Sequence, residues 1–222
     1  MSIEVINTNY NIPRLDKRVK FVTQNFYNIL DNLYLSDQIP SFDEELIRTN
    51  NIRYLFNFTK TTPFLFEYTS NYHIKFMNNL DMYSNESLVQ KIDNTVQRIF
   101  KILLNKKGVL VYCEDGCNKS LMIIICFLMK YYNSNQILSL EDALQFIKWK
   151  TNKINLDNNN NFYLVKLYRQ FLVNQVIDRH YSSESSNSSN SSNGSGSSSN
   201  SSSSSKKSKI VGIIRNHFNK QI

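Results

Sequence analysis

The sequence predicts an α/β domain in which helices pack on a central sheet. Three observations lead to this class. Short β-branched and aromatic runs alternate with helical patterns, one helix is apolar on nearly every face, and hydrophobic residues make up 41% of the chain, with 14 Phe and 13 Tyr. No internal repeat is visible. On this pattern alone, an unrelated α/β fold remains the alternative.

Four segments rich in β-branched and aromatic residues are predicted as strands. They are residues 32–35, 52–58, 73–77 and 109–112. His73 falls in the third of these segments, and we expect it to be packed rather than catalytic.

Five segments are predicted as helices, beginning with a short one at residues 43–50. Residues 86–105 carry apolar side chains at three- and four-residue spacing, which is typical of an amphipathic helix, and Gly108 follows its end. Residues 120–132 are apolar on nearly every face, which predicts a central, buried helix. Two further amphipathic helices are predicted at residues 140–149 and 162–177.

The chain divides into four predicted regions. Residues 1–24 form an N-terminal extension, 25–180 the domain, 181–205 a disordered Ser/Asn-rich linker and 206–222 a basic C-terminal segment. Residues 182–205 contain 17 Ser, and so polar a run cannot bury enough apolar surface to offset its chain entropy. The basic segment has apolar residues at four-residue spacing and could dock weakly on an acidic membrane or a partner. An ordinary disordered tail is the alternative.

Charge and cysteine content exclude several classes of protein. The net charge is +8, of which residues 181–222 carry +4, with five basic residues and one acid. The remaining +4 suits phosphorylated or acidic partners but is too diffuse to predict nucleic-acid binding. An odd number of three cysteines argues against a secreted disulfide scaffold, and we expect neither secretion nor a membrane span, because no run approaches 18 apolar residues. We therefore expect a cytoplasmic protein that could also enter the nucleus.

One segment combines the features of an anion-binding loop. The strand VLVY leads directly into residues 113–120, CEDGCNKS, where the buried helix begins. A tight loop between a strand and a helix N-terminus directs several backbone N–H groups at one point, and the helix dipole adds about half a positive charge there. Gly116 allows the loop to turn, and the same field favours the thiolate of Cys113.

This segment resembles the active-site loop of the protein tyrosine phosphatase superfamily, whose pattern is His-Cys, five residues, Arg, then Ser or Thr. Other segments resemble the dual-specificity branch: LYLSDQ at 33–38, NIRYLFNFT at 51–59, Leu-Met at 128–129 and EDALQFIK at 141–148. The resemblance covers about residues 30–173. It implies a protein tyrosine phosphatase-like fold, with a central mixed sheet and helices on both sides. It also implies a protein phosphatase that needs no metal or cofactor.

The resemblance implies catalytic roles for three residues and a phosphate-binding role for six others. Cys113 occupies the position of the nucleophile, Ser120 that of the hydroxyl that stabilises the departing thiolate, and Asp81 that of the acid that protonates the leaving oxygen. An ordinary loop aspartate is the alternative for Asp81. Asp93 is a weaker rival, since it falls in a helix and should be solvated. The phosphate-binding positions are Glu114, Asp115, Gly116, Cys117, Asn118 and Lys119.

The sequence departs from the family pattern at several of these positions. Lys119 replaces the arginine, so a point charge on a flexible stem stands where a planar guanidinium would bind two phosphate oxygens. Tyr112 replaces the histidine and cannot become cationic. Glu114 and Asp115 add negative charge to an anion-binding loop. Cys117 could form a disulfide with Cys113 under oxidation, although two thiols are the simpler expectation.

Three hypotheses about function follow. The first is an impaired phosphatase-like protein, or pseudophosphatase, that binds phosphorylated protein partners. The second is an active dual-specificity phosphatase that hydrolyses phospho-Tyr and phospho-Ser/Thr through a phosphocysteine intermediate. The third is a purely structural loop that binds no anion. We favour the first, because the loop keeps a cation and a helix N-terminus while its chemistry is weakened.

Overall fold

The computed structural model describes residues 25–60, 66–133, 136–151 and 159–186. Its five strands form one mixed sheet in the order β1-β2-β5-β3-β4. The pair β1–β2 is antiparallel, and every other neighbouring pair is parallel. The strands are β1 Phe26–Leu30, β2 Leu33–Ser36, β3 Ile52–Asn57, β4 Ser70–His73 and β5 Gly108–Tyr112.

Helices lie on both sides of this sheet, as predicted. The α-helices are α1 Glu44–Thr49, α2 Asn85–Leu104, α3 Lys119–Tyr131, α4 Leu140–Thr151 and α5 Asn159–Ser186. Short 3-10 helices cover Ile39–Phe42, Lys75–Asn78 and Leu80–Met82. Helix α5 continues past residue 180, where we predicted the domain to end. No helix in the described ranges is long and apolar enough to cross a membrane.

Alternate residues of β5 serve the two faces of the sheet. Val109 and Val111 pack in the large core formed with α2, α3, α4 and α5, and Cys113 continues that face. Leu110 and Tyr112 pack in a smaller cluster with Ile47 of α1 on the other face. All five residues of β5 are buried, as expected for a central strand of a parallel sheet. Helix α3 is buried along its length from Ser120 to Met129, which confirms the prediction for this segment.

The sequence analysis missed one strand and misplaced another. Strand β1 was not predicted; it joins β2 through a tight turn at Asn32, whose φ is 66°. The third predicted strand, 73–77, is displaced: β4 pairs with β3 through Ser70–His73, and residues 75–78 form a 3-10 helix instead. The last partner of β4 is Asn57, where β3 itself ends, so the chain beyond His73 has no strand to continue along.

The prediction for Asp93 was also wrong, because this side chain is buried rather than solvated, with 1% of it exposed. Asp93 forms an ion pair with Lys130 of α3. Its carboxylate also accepts hydrogen bonds from the Tyr168 hydroxyl at 2.7 Å and from Gln97 Nε2 at 2.6 Å. A buried charge needs such partners, and here they join α2, α3 and α5.

We predict that Asp93→Asn lowers the free energy of unfolding by about 3 kcal/mol, since it leaves the largely buried ammonium of Lys130 without its counter-charge. Urea denaturation measures this change. Gln90→Ala is the control, because it removes an exposed hydrogen bond to Asn94 on the same helix and should cost less than about 0.5 kcal/mol. Equal effects of the two substitutions would contradict the assigned role of Asp93.

Candidate active site

The candidate site lies at the carboxyl end of β5, where the chain turns into α3. Tyr112 is the last residue of β5 and pairs with Ser36 of β2 on one side and Asn57 of β3 on the other. Because these three strands are parallel, the residues that follow them emerge at the same edge of the sheet. The loop of residues 113–118 therefore lies between the ends of β2 and β3.

Gly116 fits this loop against the end of β2. Its φ is +71°, which L side chains rarely adopt. A Cβ at this position would lie 2.7 Å from the backbone N of Asp37 and 2.9 Å from the carbonyl carbon of Ser36. The loop therefore depends on glycine here both for its backbone conformation and for its close approach to β2.

The structure brings Cys113 and Ser120 together, as the resemblance implies. The Cys113 Sγ lies 3.0 Å from the Ser120 Oγ, and both side chains are almost completely buried. Burial raises the pKa of the Cys113 thiol; the hydrogen bond with Ser120 opposes this shift and the carboxylate of Asp115 adds to it. Desolvation thus opposes the thiolate that we expected the loop to favour, and the neighbouring negative charge opposes it further.

Asp115 turns its carboxylate back onto the loop. Its Oδ1 accepts hydrogen bonds from the backbone N–H of Cys117 at 3.0 Å and of Asn118 at 3.2 Å. The same oxygen lies 3.1 Å from the Cys113 Sγ, whose S–H can donate to it. The Asn118 side-chain amide donates to Oδ2. Burial disfavours this carboxylate, but the hydrogen bonds prevail and hold the pKa of Asp115 below its ordinary value.

The ammonium of Lys119 is surrounded by acceptors of the protein itself. Its Nζ donates to Asn78 Oδ1 at 2.6 Å and to the Phe58 carbonyl at 3.4 Å, and it lies 3.6 Å from the carboxylate of Glu114. Glu114 in turn accepts a hydrogen bond from the backbone N–H of Lys60 at 3.1 Å. The cation at the arginine position is thus engaged by the end of β3, by the 3-10 helix after β4 and by the loop.

Asp81 is not joined to this cluster by a contact. It lies in the 3-10 helix Leu80–Met82, its side chain is exposed, and its carboxylate makes no hydrogen bond within the described part of the chain. Its segment nevertheless runs beside the loop, because Asn78, three residues earlier, contacts Lys119. The role of Asp81 as an acid therefore stays a prediction.

Tyr112, at the histidine position, faces away from the loop. It packs with the smaller cluster on the α1 side of the sheet, where its hydroxyl meets Ser41. Burial raises the pKa of this phenol, and the contact with Ser41 only partly offsets the shift. The residue before the nucleophile position is therefore a neutral phenol that packs on the face of the sheet opposite Cys113.

The cysteines form no disulfide with one another. Cys113, Cys117 and Cys126 are all thiols, and Cys126 is buried inside α3. Among the described residues, no group of His, Cys, Asp or Glu is arranged to hold a metal ion.

Sequence reasoning missed Asn78 and the Phe58 carbonyl, the two neutral acceptors of Lys119. They lie 41 and 61 residues from Lys119 in the chain. No local signal could have found them, since an Asn in a polar segment and a backbone carbonyl carry no motif. They meet Lys119 only because the segments after β3 and β4 end at the same edge of the sheet as β5.

Comparison with known proteins gives consistent matches. Residues 33–170 match the family model described as dual specificity phosphatase, catalytic domain. The human dual specificity protein phosphatase 9 is 32% identical over 150 residues, which are 68% of this chain and 36% of that protein. The chain thus spans about a third of the length of the curated relatives it matches.

Solved structures show the same fold. A leucine rich repeat and phosphatase domain containing protein from Entamoeba histolytica aligns with a TM-score of 0.54 and 23% identity, over 69% of this chain and 96% of that one. Human DUSP28 aligns with a TM-score of 0.56 and 17% identity, over 67% and 95% of the two chains.

We predict that Gly116→Ala lowers the free energy of unfolding by about 2 kcal/mol or more, because a Cβ would add a backbone clash to the strain of a positive φ. Chemical denaturation measures the loss. Asn32→Ala, at φ 66° in the β1–β2 turn, reports the conformational strain alone and should cost about 1 kcal/mol. A smaller loss at Gly116 than at Asn32 would refute the close packing of the loop on β2.

Proposed function

The chain belongs to the dual specificity phosphatase family, and we propose that it is a catalytically impaired member that binds phosphorylated protein partners. Members of this family are phosphatases, so the question for this chain is whether its loop still performs the chemistry. In this role the loop binds a phosphoryl group on the partner but hydrolyses it only slowly.

The observation that carries the proposal is the environment of Lys119. Its ammonium is a single point of charge that Asn78, the Phe58 carbonyl and Glu114 already engage. A guanidinium could keep such contacts with one edge and grip two phosphoryl oxygens with another, whereas an ammonium must exchange partners to reach the anion. The grip on two phosphoryl oxygens, which lysine cannot supply, contributes most in the transition state, because negative charge spreads there over the equatorial oxygens.

The state of Cys113 supports the same proposal. Hydrolysis requires a thiolate that attacks phosphorus while the substrate's alcohol or phenol oxygen departs with a proton. Burial raises the pKa of this thiol, and Asp115 places a negative charge beside the sulfur. Both effects keep the sulfur protonated near neutral pH and slow the first step.

Anion recognition is supported by groups that remain in place. The backbone N–H groups of Cys117 and Asn118 donate to a carboxylate oxygen of Asp115, and this contact supports a role for them in holding an anion. The N-terminus of the thirteen-residue helix α3 and the ammonium of Lys119, its first residue, add positive charge to the loop region. A phosphoryl group on a partner protein matches this chemistry.

One contact favours the second candidate, an active phosphatase acting on phospho-Tyr and phospho-Ser/Thr. The Ser120 hydroxyl lies 3.0 Å from the Cys113 Sγ, where it could stabilise the thiolate released when water hydrolyses the phosphocysteine. Retention of this pair is a feature that binding alone does not require. Turnover measurements separate the two candidates.

We predict that the protein hydrolyses a small aryl phosphate at a rate close to that of its own Cys113→Ser variant, and that Lys119→Arg raises kcat/KM by about 10- to 100-fold. This factor corresponds to the roughly 1.5–3 kcal/mol that one charge-assisted hydrogen bond contributes. Steady-state assays on the wild type and the two variants provide the comparison. Rapid, Cys113-dependent turnover by the wild type would favour the active phosphatase instead.

We also predict that the protein binds phosphorylated peptides and not their unphosphorylated forms, and that Lys119→Met weakens this binding about tenfold or more through loss of a charge-assisted contact. Isothermal titration calorimetry in the Cys113→Ser background avoids turnover during the measurement. Lys101→Met is the charge-matched control, since Lys101 is exposed on α2, and it should leave the affinity unchanged. Absence of phosphate-dependent binding would contradict the proposed function and favour the structural loop.

A further inference from the structure

We propose that Asp115 is an internal anion that occupies the phosphate-binding loop and contacts the Cys113 sulfur, so that an oxyanion enters only by displacing this carboxylate. The proposal rests on the proposed function, because it concerns regulation of the same loop. It makes Asp115 a positioning residue, one that acts on a phosphoryl group through the cysteine and the amides that it engages.

The geometry supports this role through a single oxygen. Asp115 Oδ1 lies within 3.2 Å of three donors: the Cys113 Sγ, the Cys117 N–H and the Asn118 N–H. Two of these are backbone amides of the loop, and the third is the atom that a bound phosphoryl group would have to approach. One carboxylate oxygen thus takes the donors that an incoming oxyanion needs.

The second oxygen of this carboxylate is also satisfied, by the side-chain amide of Asn118. Hydrogen bonds therefore hold the carboxylate in its charged form against the cost of burial, which is why the pKa of Asp115 is lowered. A charged group held in this way is in place throughout the neutral range.

Charge explains why a phosphoryl group and this carboxylate exclude each other. Both are anions, and a few ångströms is well within the distance over which salt screens charges, so they repel each other. The other charged groups around the loop are Glu114 and Lys119, which lie 3.6 Å apart, and Asp37, which accepts hydrogen bonds from Asn25 and from the Ile39 N–H. None of these touches the Cys113 sulfur, whereas Asp115 does.

Displacement needs no change in the fold. Asp115 lies in a loop with its carboxylate partly exposed, and rotation of its side chain would free both amides and the thiol. Once that negative charge has left, the thiol ionises more easily and the helix N-terminus is open to the ligand. Phosphate binding and thiol ionisation are therefore coupled through the same side chain.

The test measures the alkylation of Cys113 by iodoacetamide as a function of pH in the full chain, in the wild type and in Asp115→Asn. The asparagine keeps a side-chain oxygen for the two amides, removes the charge and loses the hydrogen bond that Asp115 Oδ2 accepts from the Asn118 side chain. We expect alkylation at neutral pH to be about tenfold faster in the variant, with its pH midpoint about one unit lower. Peptide mass spectrometry assigns the modification to Cys113 rather than to Cys117.

The second arm uses sodium tungstate as the probe. We expect the tungstate concentration that half-protects Cys113 from alkylation to fall about tenfold in Asp115→Asn. Glu45→Gln removes one exposed carboxylate from α1 and serves as the charge-matched control, which should behave as the wild type in both arms. Asp115→Ala is the second variant if the asparagine destabilises the fold, and the same directions are expected of it.

Each outcome decides the proposal. Faster alkylation together with tighter tungstate protection supports it, and does so even if phosphopeptides fail to bind, a result that would contradict only the proposed function. Unchanged alkylation over the whole pH range, or unchanged tungstate protection, overturns the proposal even if phosphopeptides bind normally.

Discussion

The parallel pairing of β5 between β2 and β3 is the constraint on which the site depends. Ser36, Asn57 and Tyr112 lie in register, so the segments after β2, β3 and β5 emerge together at one edge of the sheet. This register packs Gly116 on the start of the segment after β2 and places the Phe58 carbonyl beside Lys119. A slip in this pairing would separate these groups, because each belongs to a different segment of the chain.

Within that frame, the loop compensates its charges internally. Lys119 is held by Asn78 and Glu114, while Asp115 takes the amides and the thiol of the loop. The carboxylates of the loop itself thus engage its amides, its thiol and its ammonium. Transfer of a phosphoryl group by such a loop would need the cation, the amides and the sulfur at once, and each of them is engaged here by another group of the protein.

Much of the fold was predictable from local patterns. Helices α2, α3 and α4 and strands β2, β3 and β5 follow from periodicity and from β-branched runs, which the core of the protein enforces. Strand β1 and the true position of β4 did not follow, since both depend on a partner strand. The burial of Asp93 was equally unpredictable, because Lys130 and Tyr168 come to it from α3 and α5.

The sequence alone determined that a cysteine, a glycine and a lysine occupy the loop of a phosphatase-like domain, because these identities and their spacing are local. The tertiary structure decided what those residues contact. The ammonium of Lys119 meets an asparagine 41 residues away, and the exposed carboxylate of Asp115 contacts the sulfur and the amides of its own loop. Such contacts depend on the register of the sheet and on side-chain direction, which no local pattern encodes.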